Sequence, residues 1–329
     1  MTEEPTPDVP YLPFRKVWPV VAGALLGLAL RLLFSGGLDS PYRAMAPAFI
    51  LGVPIVVGAA TVFIAERTQR RSWSYYAVAG AFANVLFIAG TLAILIEGII
   101  CAIVILPLFT LLGMFGGLLM GALCRAMRWR SPVLFGFAAL PLVLAVVGPE
   151  GLPPSSNSVA VRSRVIDASP HAVWEQLRDA RDIRDDEVGR AWMYRIGVPL
   201  PLEGVAAESD GSLVRHIRMG RGIHFDQVST NWQTDARVEW KYRFFPDSFP
   251  PGSLDDHVRI GGEYFDLVDT VYTLSPESGG RTRLAIAMQY RVSTGFNWYA
   301  KPVANFLVGN FCEVILDFYA QRAQNGRAG

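Results

Sequence analysis

Residues 159–174 read VAVRSRVIDASPHAVW, and this stretch decides how the second half of the chain folds. Its apolar residues alternate with arginines as far as Ile166, which is the pattern of a β-strand. Ser169 and Pro170 then match the N-cap and first turn of a helix, because Ser can accept from a free backbone N–H and Pro needs no donor there. The stretch therefore predicts a strand followed at once by a short helix that carries Trp174.

Alternating segments continue towards the C-terminus. In residues 237–244, Trp240 and Tyr242 fall on one face and charged residues on the other, so this segment is the clearest strand. Gly279 and Gly280 supply the turn between the last two strands. A second short helix and a loop are predicted within 181–202. The predicted strands are 159–166, 213–219, 224–230, 237–244, 264–274 and 283–292.

A long amphipathic helix is predicted over residues 297–322. Its apolar stripe, spaced at steps of four and three, consists of Ala304, Val308, Phe311, Ile315 and Phe318. A curved sheet must bury its apolar face, and this helix is the only element long enough to cover it. The second half is therefore predicted to be an α+β domain, a curved antiparallel sheet around one helix with a cavity between them.

This element order resembles the START-like helix-grip superfamily, also called SRPBCC or the polyketide cyclase/dehydrase and lipid-transport group. The opening VAVRSRVIDASPHAVW and the segment YRVSTGFNWY at 290–299 carry the resemblance, which covers about residues 158–325. It implies a cavity for a hydrophobic or amphipathic small molecule such as a lipid, sterol or polyketide. The opening motif encodes a strand, a helix cap and a packing Trp, so it implies a fold rather than an activity.

The expected cavity lining consists of large residues on the inner sheet face and on the facing side of the helix. Aromatic rings with a polar tip suit an apolar ligand that carries one polar group. The alternative is that the same residues simply fill the core. The candidate ligand-binding residues are Trp240, Tyr242, Met288, Tyr290, Phe311 and Ile315.

The sequence shows no recognisable catalytic, metal-binding or cofactor motif, so we predict neither a metal nor a cofactor. The three cysteines lack metal-site spacing, and no Ser or Cys stands in a nucleophile turn. A binding protein is therefore favoured over an enzyme. The enzyme alternative needs an acid or base inside the cavity, and its candidates are His216, His224 and Asp269.

The first half of the chain has a different composition. Only 18% of the whole chain is charged, against about 25% in a typical soluble domain, and most of these charges lie beyond residue 149. Five apolar runs approach the length of about 20 residues that crosses a bilayer. A polar leader and the later runs distinguish the first run from a cleaved signal peptide. The predicted spans are 17–34, 44–65, 75–96, 99–123 and 132–147.

Basic residues give the predicted orientation, because they concentrate on the cytoplasmic side of membrane helices. Eight fall on one side of the five-span arrangement, namely Arg15, Lys16, Arg67, Arg70, Arg71, Arg125, Arg128 and Arg130. Arg31 and Arg43 fall on the other. The N-terminus is therefore predicted to be cytoplasmic and the second domain extracytoplasmic, at a bacterial inner membrane. If 132–147 does not cross, the second domain is cytoplasmic.

Two features of the apolar half invite a functional interpretation. Gly113, Gly117 and Gly121 stand at the spacing that lets helix backbones approach closely. We interpret them as packing sites within the chain, with self-association as the alternative. Glu97 and Gly98 lie in a very short connection, which predicts a tight hairpin with Glu97 as a structural turn residue at the water interface.

The sequence thus predicts a cytoplasmic tail (1–16), a transmembrane helical domain (17–147), a linker (148–157) and a START-like domain (158–325). We expect a membrane-anchored protein that binds, and in a further step transfers, a lipid or other hydrophobic small molecule. One alternative is an interaction or sensory module that signals through the helices. Another is a cyclase/dehydrase-like enzyme. Nucleic-acid binding is excluded because neither half carries a basic stripe.

Overall fold

The computed structural model describes residues 14–36, 44–126, 143 and 155–325. The chain divides into two compact units. The first is contained in Met1–Glu97 and Ile105–Gly151, and the second in Gly98–Val104 and Leu152–Gly329. We call them the helical unit and the sheet unit. The predicted span 132–147 lies outside the described residues except for Val143, as do residues 148–154 of the predicted linker.

The helical unit is built from apolar helices. They are α1 (Phe14–Leu33), α2 (Val53–Glu66) with a preceding π-helical turn (Ala48–Gly52), α3 (Trp73–Ala93) and α4 (Ile99–Ala126). The first four predicted apolar runs therefore form helices. The run at 75–96 is shifted, because Ser72 caps α3 by accepting a hydrogen bond from the Tyr75 N–H. Residues 94–98 form the predicted tight turn, which contains Glu97.

By length and composition, several of the described helices could cross a membrane. Four qualify, Ala48–Glu66, Trp73–Ala93, Ile99–Ala126 and Asn297–Asn325, whereas Val17–Leu33 is shorter. The helix Asn297–Asn325 contributes Val308, Cys312 and Phe318 to the core of the sheet unit, so we assign it to that unit. The remaining three candidate helices belong to the helical unit, and their length and composition are compatible with a membrane.

Glycines bring the helices of this unit into backbone contact. A side-chain carbon on Gly58 of α2 would overlap the carbonyl of Gly113 on α4, and one on Gly117 would overlap the carbonyl of Tyr76 on α3. Gly121 lies against the ring of Tyr76 in the same way. Gly113, Gly117 and Gly121 thus pack inside the chain. Self-association through them stays a prediction.

Polar side chains of the helical unit form hydrogen bonds and an ion pair with one another. Arg31 donates from Nε to Oε1 of Glu97 at 2.6 Å, and both side chains are largely buried. The Tyr76 hydroxyl donates to Oε1 of Glu66 at 2.7 Å. Such pairing is required because an unsatisfied polar group among apolar helices is costly. Glu97 therefore serves the turn and also holds the end of α1.

The sheet unit contains one antiparallel sheet, in the order β1-β9-β8-β7-β5-β4-β3-β2, with β6 paired to β7. Its strands are β1 (Ser156–Ile166), β2 (Asp179–Ala180), β3 (Pro201–Ser209), β4 (Ser212–Met219), β5 (His224–Ser229), β6 (Trp232–Gln233), β7 (Arg237–Arg243), β8 (Phe265–Glu277) and β9 (Arg281–Val292). Its helices are α5 (Pro170–Arg178), α6 (Asp185–Val188), α7 (Trp192–Arg195) and α8 (Asn297–Asn325).

Residues 159–174 form the predicted strand and helix. β1 leads directly to α5, where Ser169 accepts a hydrogen bond from the Ala172 N–H at 3.3 Å and Pro170 is the first helical residue. Trp174 is buried in the core with Tyr290 of β9 and Phe318 of α8. A curled antiparallel sheet with its long C-terminal helix is a helix-grip fold, so the predicted α+β class is confirmed.

Three differences from the sequence-based expectation concern strands. β3 lies partly in the predicted loop and continues beyond it, because its Gly and Ala residues give little strand signal and its pairing with β4 decides the structure. The two-residue strands β2 and β6 are too short to predict. β1 begins at Ser156, so Ser156 and Asn157 belong to the sheet rather than to the linker.

Candidate functional site

The structure brings the six predicted ligand-binding residues to the interface between the sheet and α8. Trp240 and Tyr242 lie on β7, Met288 and Tyr290 on β9, and Phe311 and Ile315 on α8. Five of them belong to one hydrophobic core, and Trp240, Met288, Tyr290 and Ile315 are buried. Tyr242 is partly exposed and shares a 2.6 Å hydrogen bond with the Thr270 hydroxyl. Their role in ligand binding stays a prediction.

A buried arginine at this interface was not predicted. Arg215 of β4 is only 5% exposed. Its Nη2 donates to the Tyr319 hydroxyl of α8 at 3.0 Å, and its Nη1 lies 3.4 Å from Oε1 of Gln227 on β5. Within the part of the chain that the structure describes, Arg215 forms no ion pair with Asp or Glu, and its Nε has no hydrogen-bond partner.

The local sequence explains why this guanidinium points inward. Leu213, Arg215 and Ile217 alternate along β4 and therefore share a sheet face. Gly204 on the neighbouring β3 has no side chain, and a carbon there would lie 2.8 Å from both Nε and Nη2 of Arg215. The guanidinium thus packs over the backbone of Gly204. The available signal was an arginine flanked by inward-facing aliphatic residues in an alternating strand.

The groups around Arg215 are neutral. Burial raises the pKa of Tyr242 to about 12 and raises the pKa of Tyr272 well above its ordinary value. The Tyr272 ring meets that of Tyr319 edge-on, with centroids 5.8 Å apart. Phenols with raised pKa values stay protonated at neutral pH, whereas arginine stays charged. The interior therefore holds a positive charge that these neighbours do not neutralise.

A second buried donor lies on the same sheet face. Nε1 of Trp240 is enclosed and has no hydrogen-bond partner among the described residues. Buried indole N–H groups normally find an acceptor. The cross-strand pairs Arg215–Gln227 and Gln227–Tyr242 place Arg215 and the β7 aromatic residues on one continuous face. Two unmatched donors in one apolar interior favour a ligand that brings an acceptor.

A pocket of about 440 Å³ lies at the end of the β4–β5 hairpin, lined by Leu202 and residues 216–226. None of the six predicted residues lines it. Its apolar residues Ile217 and Phe225 are cross-strand partners and follow the Arg215–Gln227 pair on the same face. The separation along the strand is about 7 Å, two residues at ~3.3 Å each. The pocket is lined by both faces of the hairpin and its turn, and only Ile217 and Phe225 continue the face that carries Arg215.

The three residues required by the enzyme alternative lie on the sheet face opposite to Arg215, although His216 and His224 also line the pocket at the end of the hairpin. His216 alternates with Arg215 and has a 64% exposed side chain, with Nδ1 2.6 Å from Oδ1 of Asp226. His224 follows the same outer face of β5, and Asp269 of β8 lies opposite Lys241 rather than beside inward-facing Thr270. Their positions do not meet the condition of an acid or base aimed into the interior.

Among the comparisons with known proteins, only the search of solved structures found similar proteins, and these cover about half of the chain. Neither a scan against protein-family models nor a search of curated proteins found a match. Among solved structures, an aromatase/cyclase from a Streptomyces species is 12% identical, covering 52% of this chain and 95% of its own, with a TM-score of 0.34. Norcoclaurine synthase from Thalictrum flavum, in complex with dopamine and hydroxybenzaldehyde, is 8% identical, covering 52% and 88%, with a TM-score of 0.31. A Thermus thermophilus protein is 14% identical, covering 51% and 99%, with a TM-score of 0.33.

Proposed function

We propose that this protein is a membrane-anchored helix-grip protein that binds a hydrophobic small molecule carrying a carboxylate or another anionic oxygen. The observation that carries the proposal is the buried guanidinium of Arg215, which has no carboxylate partner in the described chain and a free Nε. The surrounding residues of the sheet and α8 are apolar or aromatic. A fatty acid or an acidic lipid combines these two requirements.

The energetic reason lies in the cost of burying a charge. A cation removed from water costs several kcal/mol unless a partner offsets it. Tyr319 and Gln227 offer neutral acceptors, which do not bring the opposite charge that a carboxylate would bring to the guanidinium. A ligand carboxylate would satisfy the free Nε of Arg215, and Nε1 of Trp240 could donate to a second oxygen of the ligand.

Attachment to a membrane would supply such a ligand. The helices Ala48–Glu66, Trp73–Ala93 and Ile99–Ala126 have the length and composition of membrane spans. A hydrophobic acid partitions into the bilayer, so a binding domain held at that surface meets it at a high effective concentration. The proposal includes the cytoplasmic N-terminus and the extracytoplasmic sheet unit that the basic residues predict. A sensory role for the helices stays a prediction.

The test uses the full chain in lipid nanodiscs and a fatty acid that carries a diazirine near the end of its chain. After illumination and proteolysis, mass spectrometry locates the labelled residues. We expect labels on β7, β9 and α8, with much weaker labelling by the methyl ester of the same fatty acid. In Arg215→Met, labelling by the acid should fall by a factor of about ten or more, since a hydrogen bond to a charged group contributes roughly 1.5–3 kcal/mol.

The matched control is Arg218→Met on the same strand. Arg218 points outward, pairs with Glu203 at 2.9 Å and has a 65% exposed side chain, so its loss should leave labelling unchanged. Equal labelling by acid and ester, or equal labelling of the wild type and Arg215→Met, contradicts the proposed anion site. Labels confined to residues 14–126 contradict ligand binding by the sheet unit.

A further inference from the structure

A group of large apolar side chains lies exposed on the sheet unit. The exposed fractions are 46% for Trp192, 61% for Trp298 and 55% for Phe306. The rings of Trp192 and Phe306 are in contact, with centroids 6.3 Å apart. Trp298, the exposed Pro302 and Phe306 are spaced four residues apart on α8, so they form one stripe. We call Trp192, Trp298, Pro302 and Phe306 the aromatic patch.

The patch is held in a defined place. The backbone N–H of Trp192 donates to Oδ1 of Asn310 at 2.8 Å, which fixes the start of α7 on α8. Tyr194 and Phe311 pack edge-on behind it, with centroids 6.2 Å apart. Contiguous apolar surface that a fold keeps exposed marks an interaction site more often than chance. Because Phe311 belongs to the core beneath α8, the patch lies directly outside the candidate ligand site.

The charged residues in the two segments that carry the patch are all basic. Residues 189–202 and 297–312 contain no Asp or Glu. The Arg195 guanidinium lies over the Trp192 ring, 5.4 Å from its centroid. Lys301 follows Trp298 by three residues, about one helical turn. The surface therefore offers aromatic rings bordered by cations and should repel a cationic partner.

We propose that the aromatic patch docks on the headgroup region of an anionic lipid bilayer. Tryptophan concentrates at the membrane–water interface, where its ring is buried and its N–H stays near polar groups. Lysine and arginine are attracted to anionic lipid headgroups. The chain itself carries helices of span length, so a bilayer is the surface to which this unit is tethered. This inference rests on the proposed membrane attachment and adds the face by which the ligand-binding unit meets lipid.

The test measures tryptophan emission of the full chain in nanodiscs containing anionic lipid. Emission from single residues is obtained as the difference between the wild type and Trp298→Phe or Trp192→Phe. We expect both contributions to lose at least half of their intensity when the lipid is brominated near the headgroup, and to resist iodide added to the water. The control is Trp232→Phe, which removes a half-buried residue of β6 and should reveal no bromolipid-sensitive contribution.

Each other outcome has a distinct meaning. If iodide quenches Trp192 and Trp298 and bromolipid does not, the patch faces water and the inference is wrong. If neither quencher acts, protein covers the patch, either another segment or a second copy, and the inference is again wrong. A chain that does not enter nanodiscs at all contradicts the membrane attachment itself. Quenching by bromolipid without fatty-acid labelling supports docking and contradicts only the proposed ligand.

Discussion

The two units of this chain both bury apolar surface, but they pack in opposite ways. In the helical unit, Gly58 and Gly113 let α2 and α4 touch backbone to backbone. In the sheet unit, the core is built largely from bulky side chains, including Trp174, Trp240 and Tyr290. The same abundance of apolar residues thus produces a core of small residues in one unit and a core of rings in the other.

The proposed difference in surrounding solvent would explain why the two cores differ. In lipid, separating two apolar helices exposes them only to other apolar groups, so association depends on close van der Waals packing. In water, stability grows with the apolar area removed from solvent, at about 25 cal/mol per Å², and large side chains remove the most. The two kinds of core are those expected if the helical unit lies in lipid and the sheet unit in water, as we propose.

The first and largest test of this comparison is Trp174→Ala. Trp174 is only 2% exposed and anchors α5 in the core of the sheet unit. Truncating such a buried ring should lower the free energy of unfolding of that unit by about 3–5 kcal/mol. Urea unfolding of the full chain in mild detergent, followed by near-ultraviolet circular dichroism, measures this loss.

The matched control for Trp174→Ala is Trp298→Ala, which removes the same side chain from an exposed position. Surface substitutions of this kind usually change stability by less than about 0.5 kcal/mol. Equal losses in the two variants would show that the ring core is not what stabilises the sheet unit.

The second test addresses the helical unit through Gly58→Ala. The added methyl group would overlap the Gly113 carbonyl, and a backbone atom cannot move aside as a flexible side chain can. Overpacking of this kind costs typically 1–3 kcal/mol. Titration of the purified chain with a denaturing detergent, followed by far-ultraviolet circular dichroism, should show unfolding at a lower detergent fraction.

Gly90→Ala is the control, because no atom lies within 4 Å of the position that its methyl group would occupy. Alanine favours a helix over glycine, so this variant should be as stable as the wild type or slightly more so. If Gly58→Ala and Gly90→Ala behave alike, close backbone approach is not what holds α2 to α4.

The fold of the sheet unit could be predicted because its signals are local. Alternation defines β1 and β7, a cap defines α5, and a stripe of apolar residues defines α8. β3 could not be predicted, since Gly204 and Ala206 give no alternation and only the partner strand determines its conformation. The prediction that α2, α3 and α4 cross a membrane rests on length and composition in both the sequence and the structure.

The candidate site could be predicted only in part. Its apolar and aromatic residues follow from strand faces, which the sequence displays. Arg215 could not be singled out, because a charged residue in a strand normally faces water. Its burial depends on the small size of Gly204, and the absence of a carboxylate partner in the described chain depends on what neighbouring strands and α8 present. These are tertiary properties that alternation along one strand does not contain.

The third test concerns an ion pair that ties α8 to α6. Arg322 donates from Nε and Nη2 to the two carboxylate oxygens of Glu187, at 2.7 and 2.8 Å. Glu187→Gln should lower the free energy of unfolding at pH 7 by roughly 1.5 kcal/mol, because it removes the negative charge and one of the two acceptor oxygens that face Arg322. Urea unfolding of the full chain in mild detergent measures the difference.

The stability difference between the wild type and Glu187→Gln should depend on pH. The hydrogen bond from Arg322 lowers the pKa of Glu187 below its ordinary value, which is about 4.3. The stabilisation by this ion pair is therefore complete at pH values above the ordinary pKa of Glu and is lost as the pH falls through the lowered pKa of Glu187. The difference between the wild type and Glu187→Gln should shrink in acid. Glu175→Gln, which disrupts an exposed contact of 3.6 Å with Arg178, should show almost no difference at either pH.

The smallest loss of stability is expected for Arg215→Met, and this sets Arg215 apart from the other buried arginine, Arg31. Arg31 of the helical unit has the Glu97 carboxylate as its partner, whereas Arg215 of the sheet unit has only neutral acceptors in the described chain. Replacing Arg31 by Met leaves a largely buried carboxylate without its cation, which is destabilising. Replacing Arg215 by Met frees two neutral acceptors but also removes the cost of burying a charge, so these effects should cancel to within about 1 kcal/mol.

Detergent-induced unfolding for Arg31→Met and urea unfolding for Arg215→Met, both on protein stripped of bound lipid, make this comparison. A large loss of stability in Arg215→Met would mean that the guanidinium is a structural element, held in place by Tyr319 and Gln227. A preserved sheet unit that no longer prefers a fatty acid over its methyl ester would mean that the charge serves the ligand. The two outcomes therefore decide whether Arg215 stabilises the fold or binds an anionic ligand.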